Sequence, residues 1–343
     1  MEKTFVRTEI GSEFWDIPLT ENGGASLPAD TRWFISGTSA LHYIINDIQR
    51  NTDIKKVGVP SWCCSCMIEP FVKAGLGVEF YPVYADRERC LTCDYEAVSD
   101  CDATLVLSYF GYNKLKTIGT PGGILIRDLT HSLFCRGYDN ALYYFGSLRK
   151  WAGFWTGGYA WKKELWNLPQ SVQPSDTAFL CKRETAMDLK LAYLKGTINE
   201  KDYLGLFEDA EDFLDQCGIA GSCERDIRCA QKLDTELIIA RRRENARVLL
   251  QSLKDVALFP QIEERDCPMF VPILLPDKEY RDSLRRYLIS KEIYCPIHWP
   301  ISDLHRLGTK ERELYDRSLS IVCDQRYDTA DMMRLAETIK AFK

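Results

Sequence analysis

Apolar residues along this 343-residue chain recur in two rhythms. Leu41, Ile44, Ile45 and Ile48 are spaced by three and four, which predicts an amphipathic helix over 40–48, entered from Trp33-Phe34-Ile35 through Ser36-Gly37-Thr38-Ser39. Short apolar runs at 56–60, 78–83 and 103–108 read as strands, with a helix from about 64 to 75 between the first two. Strand, helix and strand joined by short links predict a parallel sheet. Strand-like runs follow at 124–126, 141–145 and 157–161, and the pattern turns helical and charged over 175–216. One long helix is expected over 226–253, a spine between two domains, with Arg241, Arg242 and Arg243 on its solvated face. A strand at 270–275, a helix at 278–291, strands at 293–296 and 318–322 and a helix at 329–342 complete a small α/β unit. Residues 1–30, punctuated by Gly and Pro, read as an arm lying over the surface or across a partner. The expectation is an α/β chain with a mostly parallel central sheet in a large domain, 1–235, and a small C-terminal α/β domain, 236–343.

Composition narrows the function classes. A net charge of −6 lacks the basic excess of a nucleic-acid surface. The start, MEKTFVRTEI, has no apolar segment of signal-peptide type, and no apolar run is long enough for a bilayer, so a cytoplasmic protein is expected. Fourteen cysteines raise the question of metal, because Cys63/Cys66 and Cys90/Cys93 have the paired spacing of a zinc ribbon. Their contexts differ from one: an apolar, helix-like stretch follows Cys66, and Cys90 and Cys93 sit in a polar link without the usual glycine. No metal site is expected, and the remaining thiols read as reduced packing residues.

The candidate chemistry lies between Gly122 and Gly158. One strand-like run delivers Asp128 at its end and the next delivers Ser147 and Lys150, which is how an open α/β sheet assembles a site. An acid and a lysine so placed suit pyridoxal 5'-phosphate: the lysine attaches the cofactor and the acid keeps its pyridine nitrogen protonated. Ser36 to Ser39, at a helix start, form either an anion site or an ordinary cap. Trp62, at a strand end, is either an aromatic face for a flat ring or a core tryptophan. Lys150 also reads as a surface lysine beside Arg149, Asp128 and His131 as a helix cap and its neighbour, and His298 in CPIHWP as a structural histidine.

Five pieces in order, SGTSAL at 36–41, VPSW at 59–62, RDLTH at 127–131, SLRKW with a following GG at 147–158, and SLSIVCDQRY at 318–327, span nearly the whole chain. With them the sequence resembles the DegT/StrS group of fold-type-I pyridoxal-phosphate aminotransferases, which aminate nucleotide-linked keto sugars. The resemblance implies a fold-type-I homodimer acting on small molecules, an amino-acid donor such as glutamate and a keto-sugar acceptor. It implies Lys150 as the cofactor lysine, Asp128 at the pyridine nitrogen, and His131 near the ring or its 3′ oxygen. It places Trp62 on the ring face, Gly37, Thr38, Ser39 and Ser147 at the phosphate, and His298 toward substrate. Arg149 is the candidate cation for lowering the lysine's basicity. The group's partner-subunit segment near the phosphate carries Asn, whereas residues 221–231 carry none. Two other readings keep the fold: elimination or dehydration on a deoxysugar, where the related dehydratases replace the lysine, often by His, and a non-catalytic or zinc-bearing scaffold.

Overall fold

The structure, a computed structural model, describes residues 6–25, 27–86, 89–138, 140–169 and 172–342. Its centre is a seven-stranded sheet made of β1 (Arg32–Phe34), β2 (Lys56–Pro60), β3 (Gly77–Tyr81), β4 (Ala103–Leu107), β5 (Ile124–Asp128), β6 (Tyr143–Ser147) and β7 (Gly158–Lys162). The spatial order is β1-β7-β6-β5-β4-β2-β3. β7 runs antiparallel to both neighbours and the other pairings are parallel. All five residues of β4 and of β6 are buried, as expected of strands covered on both faces. The C-terminal ends of β1, β2, β5 and β6 therefore open on one edge.

Helix α1 (Gly37–Gln49) follows β1 directly. It starts because Ser36 is extended and its hydroxyl accepts from the Ser39 N–H at 3.1 Å, and the predicted stripe of Leu41, Ile44, Ile45 and Ile48 is buried. β7 passes close to this start. A Cβ on Gly158 would lie 2.1 Å from the Ser36 carbonyl oxygen, and Gly157 has φ +109°, so the glycine pair is what lets β7 press against the loop.

Several local expectations change. The stretch 64–75 is a 3₁₀ turn, Ser65–Met67, and a five-residue helix, Glu69–Lys73, because Pro70 has no N–H for a continuous ladder. Pro82 splits the run at 78–83, and Val83–Ala85 joins Leu91–Asp94 and Lys116–Ile118 in a separate three-stranded sheet. Cys93 is buried within that sheet rather than in a polar link. The long helix at 226–253 is two, Glu224–Gln231 and Thr235–Leu253, the second restarted by Asp234, whose carboxylate accepts from the Leu237 N–H at 3.0 Å. Nor is the arginine run a solvated face. Arg242 is buried and donates to Gln325 Oε1 at 2.8 Å and the Met269 carbonyl at 3.0 Å, while Arg243 reaches the carbonyls of Glu263 and Glu264. The helix Thr309–Arg317 was not anticipated, since only Leu314 and Tyr315 of its nine residues are buried.

Beyond the large sheet, Phe270–Leu274 pairs antiparallel with Ser318–Val322. A core of its own forms around that pair from Leu249, Leu253, Leu284, Leu288, Met332 and Leu335. The N-terminal arm lies on this part of its own chain, where Ile10–Gly11 pairs in parallel with Ile293–Tyr294. Among the described residues no helix is long and apolar enough to cross a membrane, and no group of three His, Cys, Asp or Glu is arranged to hold a metal ion.

Candidate active site

The sheet edge at the strand ends forms the floor of a cavity of about 710 Å³. β5 ends on Asp128, β6 ends on Ser147, and the following 3₁₀ turn (Leu148–Lys150) carries Lys150 into the same space. Ser36, Gly37 and Thr38 enter from the start of α1, and Cys64 to Met67 from the turn after β2. The opposite wall comes from His298 and Trp299, near the C-terminal sheet, and from residues 11–14 of the arm. Ligand sites in open α/β sheets lie at this edge, outside the carboxyl ends of the strands.

Asp128 is buried, and burial pushes its carboxyl up to about 6 although hydrogen bonds from Thr130 pull the other way. One is the Thr130 N–H, 2.7 Å from Oδ1. His131 is buried as well. Desolvation, then His298 and Lys150, hold its imidazole well below the ordinary range, so it is neutral. Its Nδ1 is enclosed without a hydrogen-bond partner. The ring lies nearly parallel to Trp299 (centroids 5.5 Å apart, 18°) and 5.1 Å from Phe110. His298 is also neutral, lowered to about 3 by burial and then by Lys150, and its Nδ1 is 2.8 Å from Ser320 Oγ.

Arg149 is not free to act on Lys150. It donates to both oxygens of Glu211, at 2.6 Å to Oε2, and Arg183 approaches the same carboxylate at 3.4 Å. Burial alone would raise the Glu211 carboxyl, but Arg149, then Lys150 and Arg183, bring it down to about 2. Its firm negative charge answers the arginine, and the pair fixes the turn that carries Lys150.

Six of the eight residues predicted to bind the cofactor line the cavity: Gly37, Thr38, Asp128, His131, Ser147 and Lys150, and His298 joins them from the other wall. Two do not. Ser39 is buried with its hydroxyl engaged by Ala220, donating to its carbonyl at 3.2 Å and accepting from its N–H at 3.0 Å. Trp62 is a core residue: its indole stacks on Tyr109 (5.2 Å, 13°), and its N–H donates to the His298 carbonyl at 3.0 Å. It supports the cavity from behind. Trp299, Cys64 and Glu211 escaped the sequence reading, and Cys66, weighed there only as half of a zinc-type pair, lines the cavity. Trp299 follows a His already singled out, but nothing local marks Glu211 among the acids of its helix, Tyr203–Gln216. Residues 221–231 bond within their own chain, where Asp226 Oδ2 accepts from the Thr156 N–H at 2.6 Å and its hydroxyl at 2.7 Å.

The residues present fit pyridoxal phosphate. They offer a buried carboxylate, an amine open to the cavity, an unpartnered imidazole nitrogen beside an aromatic wall, and a helix start with hydroxyls for an anion.

No family model matches the sequence, and no curated protein matches it. Solved structures do match the fold. Spr1654 from Streptococcus pneumoniae, described as a sugar aminotransferase and solved in its PLP form, is 13% identical at a TM-score of 0.61, with 98% of each chain covered. Helicobacter pylori PseC, an aminotransferase involved in the biosynthesis of pseudoaminic acid, is 13% identical at a TM-score of 0.61, covering 96% of this chain and 99% of its own. A GDP-4-keto-6-deoxymannose-3-dehydratase, ColD, is 16% identical at a TM-score of 0.58, covering 90% and 88%. The architecture is that of fold-type-I pyridoxal-phosphate enzymes, in agreement with the resemblance carried by the sequence motifs.

Proposed function

We propose that the chain is a pyridoxal-phosphate-dependent aminotransferase that moves an amino group from an amino acid to a keto sugar. The observation that carries this reading is the convergence of Lys150 and Asp128, from the ends of two adjacent parallel strands, on one cavity that also holds the unpartnered nitrogen of His131. Lys150 would hold the cofactor, Asp128 its ring nitrogen, Gly37, Thr38 and Ser147 its phosphate, and His131 a polar ring substituent. When bound, the cofactor supplies an electron sink for a C–H bond broken beside an amine, and it carries the amino group between the two substrates.

The chain's own residues supply the rest. Asp128 is ionised at neutral pH, and its buried charge favours a positive ring nitrogen opposite it. Lys150, once its amine is free, moves a proton on and off the substrate carbon, a role worth about 10²–10⁴-fold in rate. The Arg149–Glu211 pair orients the turn bearing Lys150. Neutral His298, held by Ser320, offers a polar contact to the acceptor without adding charge.

The finer parts of the reading rest on resemblance: glutamate as donor, a nucleotide carrier on the sugar, as in polysaccharide biosynthesis, and a homodimer. The lysine at position 150 favours transfer over dehydration. We also read the chain as two domains dividing near residue 235, a reading supported by the separate core around Phe270–Leu274 and Ser318–Val322.

The test is an absorbance spectrum of the protein with pyridoxal phosphate beside Lys150→Ala. A visible band present in the parent, absent in the variant and bleached by glutamate supports cofactor, lysine and donor. A band indifferent to glutamate removes the donor, and no band in either protein overturns the enzyme reading in favour of a scaffold.

A further inference from the structure

The cavity contains a chemical group that amino transfer does not use. Cys64 and Cys66 lie on its wall, one on either side of Ser65, in the turn that follows β2. The turn has a firm backing: the Tyr315 hydroxyl meets the Cys63 N–H at 3.0 Å and its carbonyl at 3.1 Å, and His305 Nε2 sits 3.1 Å from that same carbonyl. Both residues are half-buried. Hydrogen bonding from Cys66, opposed by burial and helped by the nearby Lys150 ammonium, holds the Cys64 thiol down at about 6. Cys66, the donor in that contact, goes up. Among the described residues every other cysteine with a resolved shift also goes up, chiefly by burial, as at Cys93, Cys267 and Cys295, each pushed to about 12. Cys64 thus combines a lowered thiol with an open cavity before it and a cation beside it.

We propose that Cys64 is a nucleophilic site for small disulfides that enter the cavity, and that Cys66 resolves the adduct into a Cys64–Cys66 disulfide. The Cys64 thiolate attacks one sulfur of the small disulfide, forming a mixed disulfide and releasing one thiolate. Cys66 then loses its proton and attacks the Cys64 sulfur, expelling the second thiol. Two protein thiols are oxidised, one small disulfide is reduced to two thiols, and no other oxidant is involved. A disulfide bridges Cα atoms roughly 4.4–6.8 Å apart, a span within reach of residues on either side of one 3₁₀ residue. The product removes the thiolate that faces Lys150, so the cavity wall responds to redox conditions.

The experiment uses cofactor-free full-length protein, hydroxyethyl disulfide in brief pulses at about pH 6, an acid quench and peptide mass mapping. At that pH a thiol held below the ordinary range keeps much more of its thiolate, and its lower intrinsic nucleophilicity takes back only part of that gain. The Cys64 product, as mixed disulfide or linked to Cys66, should therefore form several-fold faster than the mixed disulfide at Cys181, which is the more exposed thiol. Cys66→Ser should stop at the Cys64 adduct, and Lys150→Ala should slow Cys64 while leaving Cys181 unchanged. Labelling led by Cys181, or no Cys64 adduct in Cys66→Ser while Cys181 still reacts, overturns the proposal. Only one arm draws on the cofactor reading: added pyridoxal phosphate should slow Cys64. If Cys64 leads but the cofactor gives no protection, the thiol chemistry stands and the cofactor's place in this cavity falls.

Discussion

Two acids are buried at opposite edges of the central sheet, and they differ in their company. Asp47, on α1, meets the edge where β6 begins. It accepts from the Tyr143 hydroxyl at 2.8 Å, the N–H groups of Asn167 and Leu168 at 2.7 and 2.8 Å, and the Lys162 ammonium at 3.2 Å. Asp128 closes β5 at the other edge, where Thr130 is its hydrogen-bonding neighbour, Oδ1 accepting the N–H at 2.7 Å, and where the next buried polar group, His131, has an unpartnered nitrogen. A buried charge with a full set of donors and a cation is a structural joint. A buried charge with little compensation is costly in the empty protein and is rational only if a ligand completes it. Electrostatic matching, more than burial, separates the working edge of this sheet from the edge that holds it together.

The comparison can be broken most sharply at Lys150. Lys150→Ala should lower amino transfer by about 10²–10⁴-fold and abolish the cofactor's visible band. Its urea midpoint should stay near the parent's, since the side chain is open to the cavity. Comparable loss of stability would mean that this edge is structural too. Asp47→Asn should do the reverse. It leaves Lys162 charged and buried, at a cost of about 3–5 kcal/mol measured by urea unfolding, while the folded fraction keeps its band. A band lost in proportion beyond unfolding would place Asp47 in the site.

How far the sequence foretold this contrast depends on where the information resides. Strand ends are local, so Asp128, Ser147 and Lys150 could be placed at one edge from apolar runs alone, and the order of motifs supplied the family likeness and hence the fold. The stripe at Leu41, Ile44, Ile45 and Ile48 likewise marked α1 within one turn at each end. Side-chain allegiance is not local. Whether Trp62 faces a ring or the core depends on Tyr109 and on His298, 236 residues away. Whether Arg149 is free depends on Glu211, and whether Arg242 is solvated depends on Gln325 and Met269. Breaks were missed where one residue outweighed a pattern, as at Pro70 and at Asp234. The charged helix Thr309–Arg317 has too narrow an apolar stripe for periodicity to reveal.

Asp128 itself offers a finer test with a definite sign. Its folded value is about 6 and its unfolded value near 3.8. The folded protein thus holds this proton more tightly, and the stability that goes with the neutral form is complete below about pH 4 and lost as pH rises through 6. Asp128→Asn is neutral throughout. The cofactor-free variant should match the parent near pH 4 and exceed it by up to about 3 kcal/mol near pH 7.5. Cofactor affinity should move the other way, because the variant has no charge to set against a protonated ring nitrogen. Equal stability at both pH values would mean that Asp128 is as well matched as Asp47.

The smallest expected effect lies next to it. His131→Phe removes a buried nitrogen that has no partner in the empty protein, and the replacement ring has an aromatic bed of Phe110 and Trp299 and open cavity on one side. Relief of an unsatisfied polar group is worth about 1–3 kcal/mol where it is fully enclosed, and the added ring bulk offsets part of it, so a net gain of about 1 kcal/mol is expected without cofactor. With cofactor the gain should vanish or reverse, because the bound state loses a contact that the parent makes. Unfolding midpoints with and without pyridoxal phosphate, compared between parent and variant, read this directly. A variant less stable than the parent in both states would show that His131 is part of the scaffold, and the working edge of the sheet would then contract to Asp128 and Lys150.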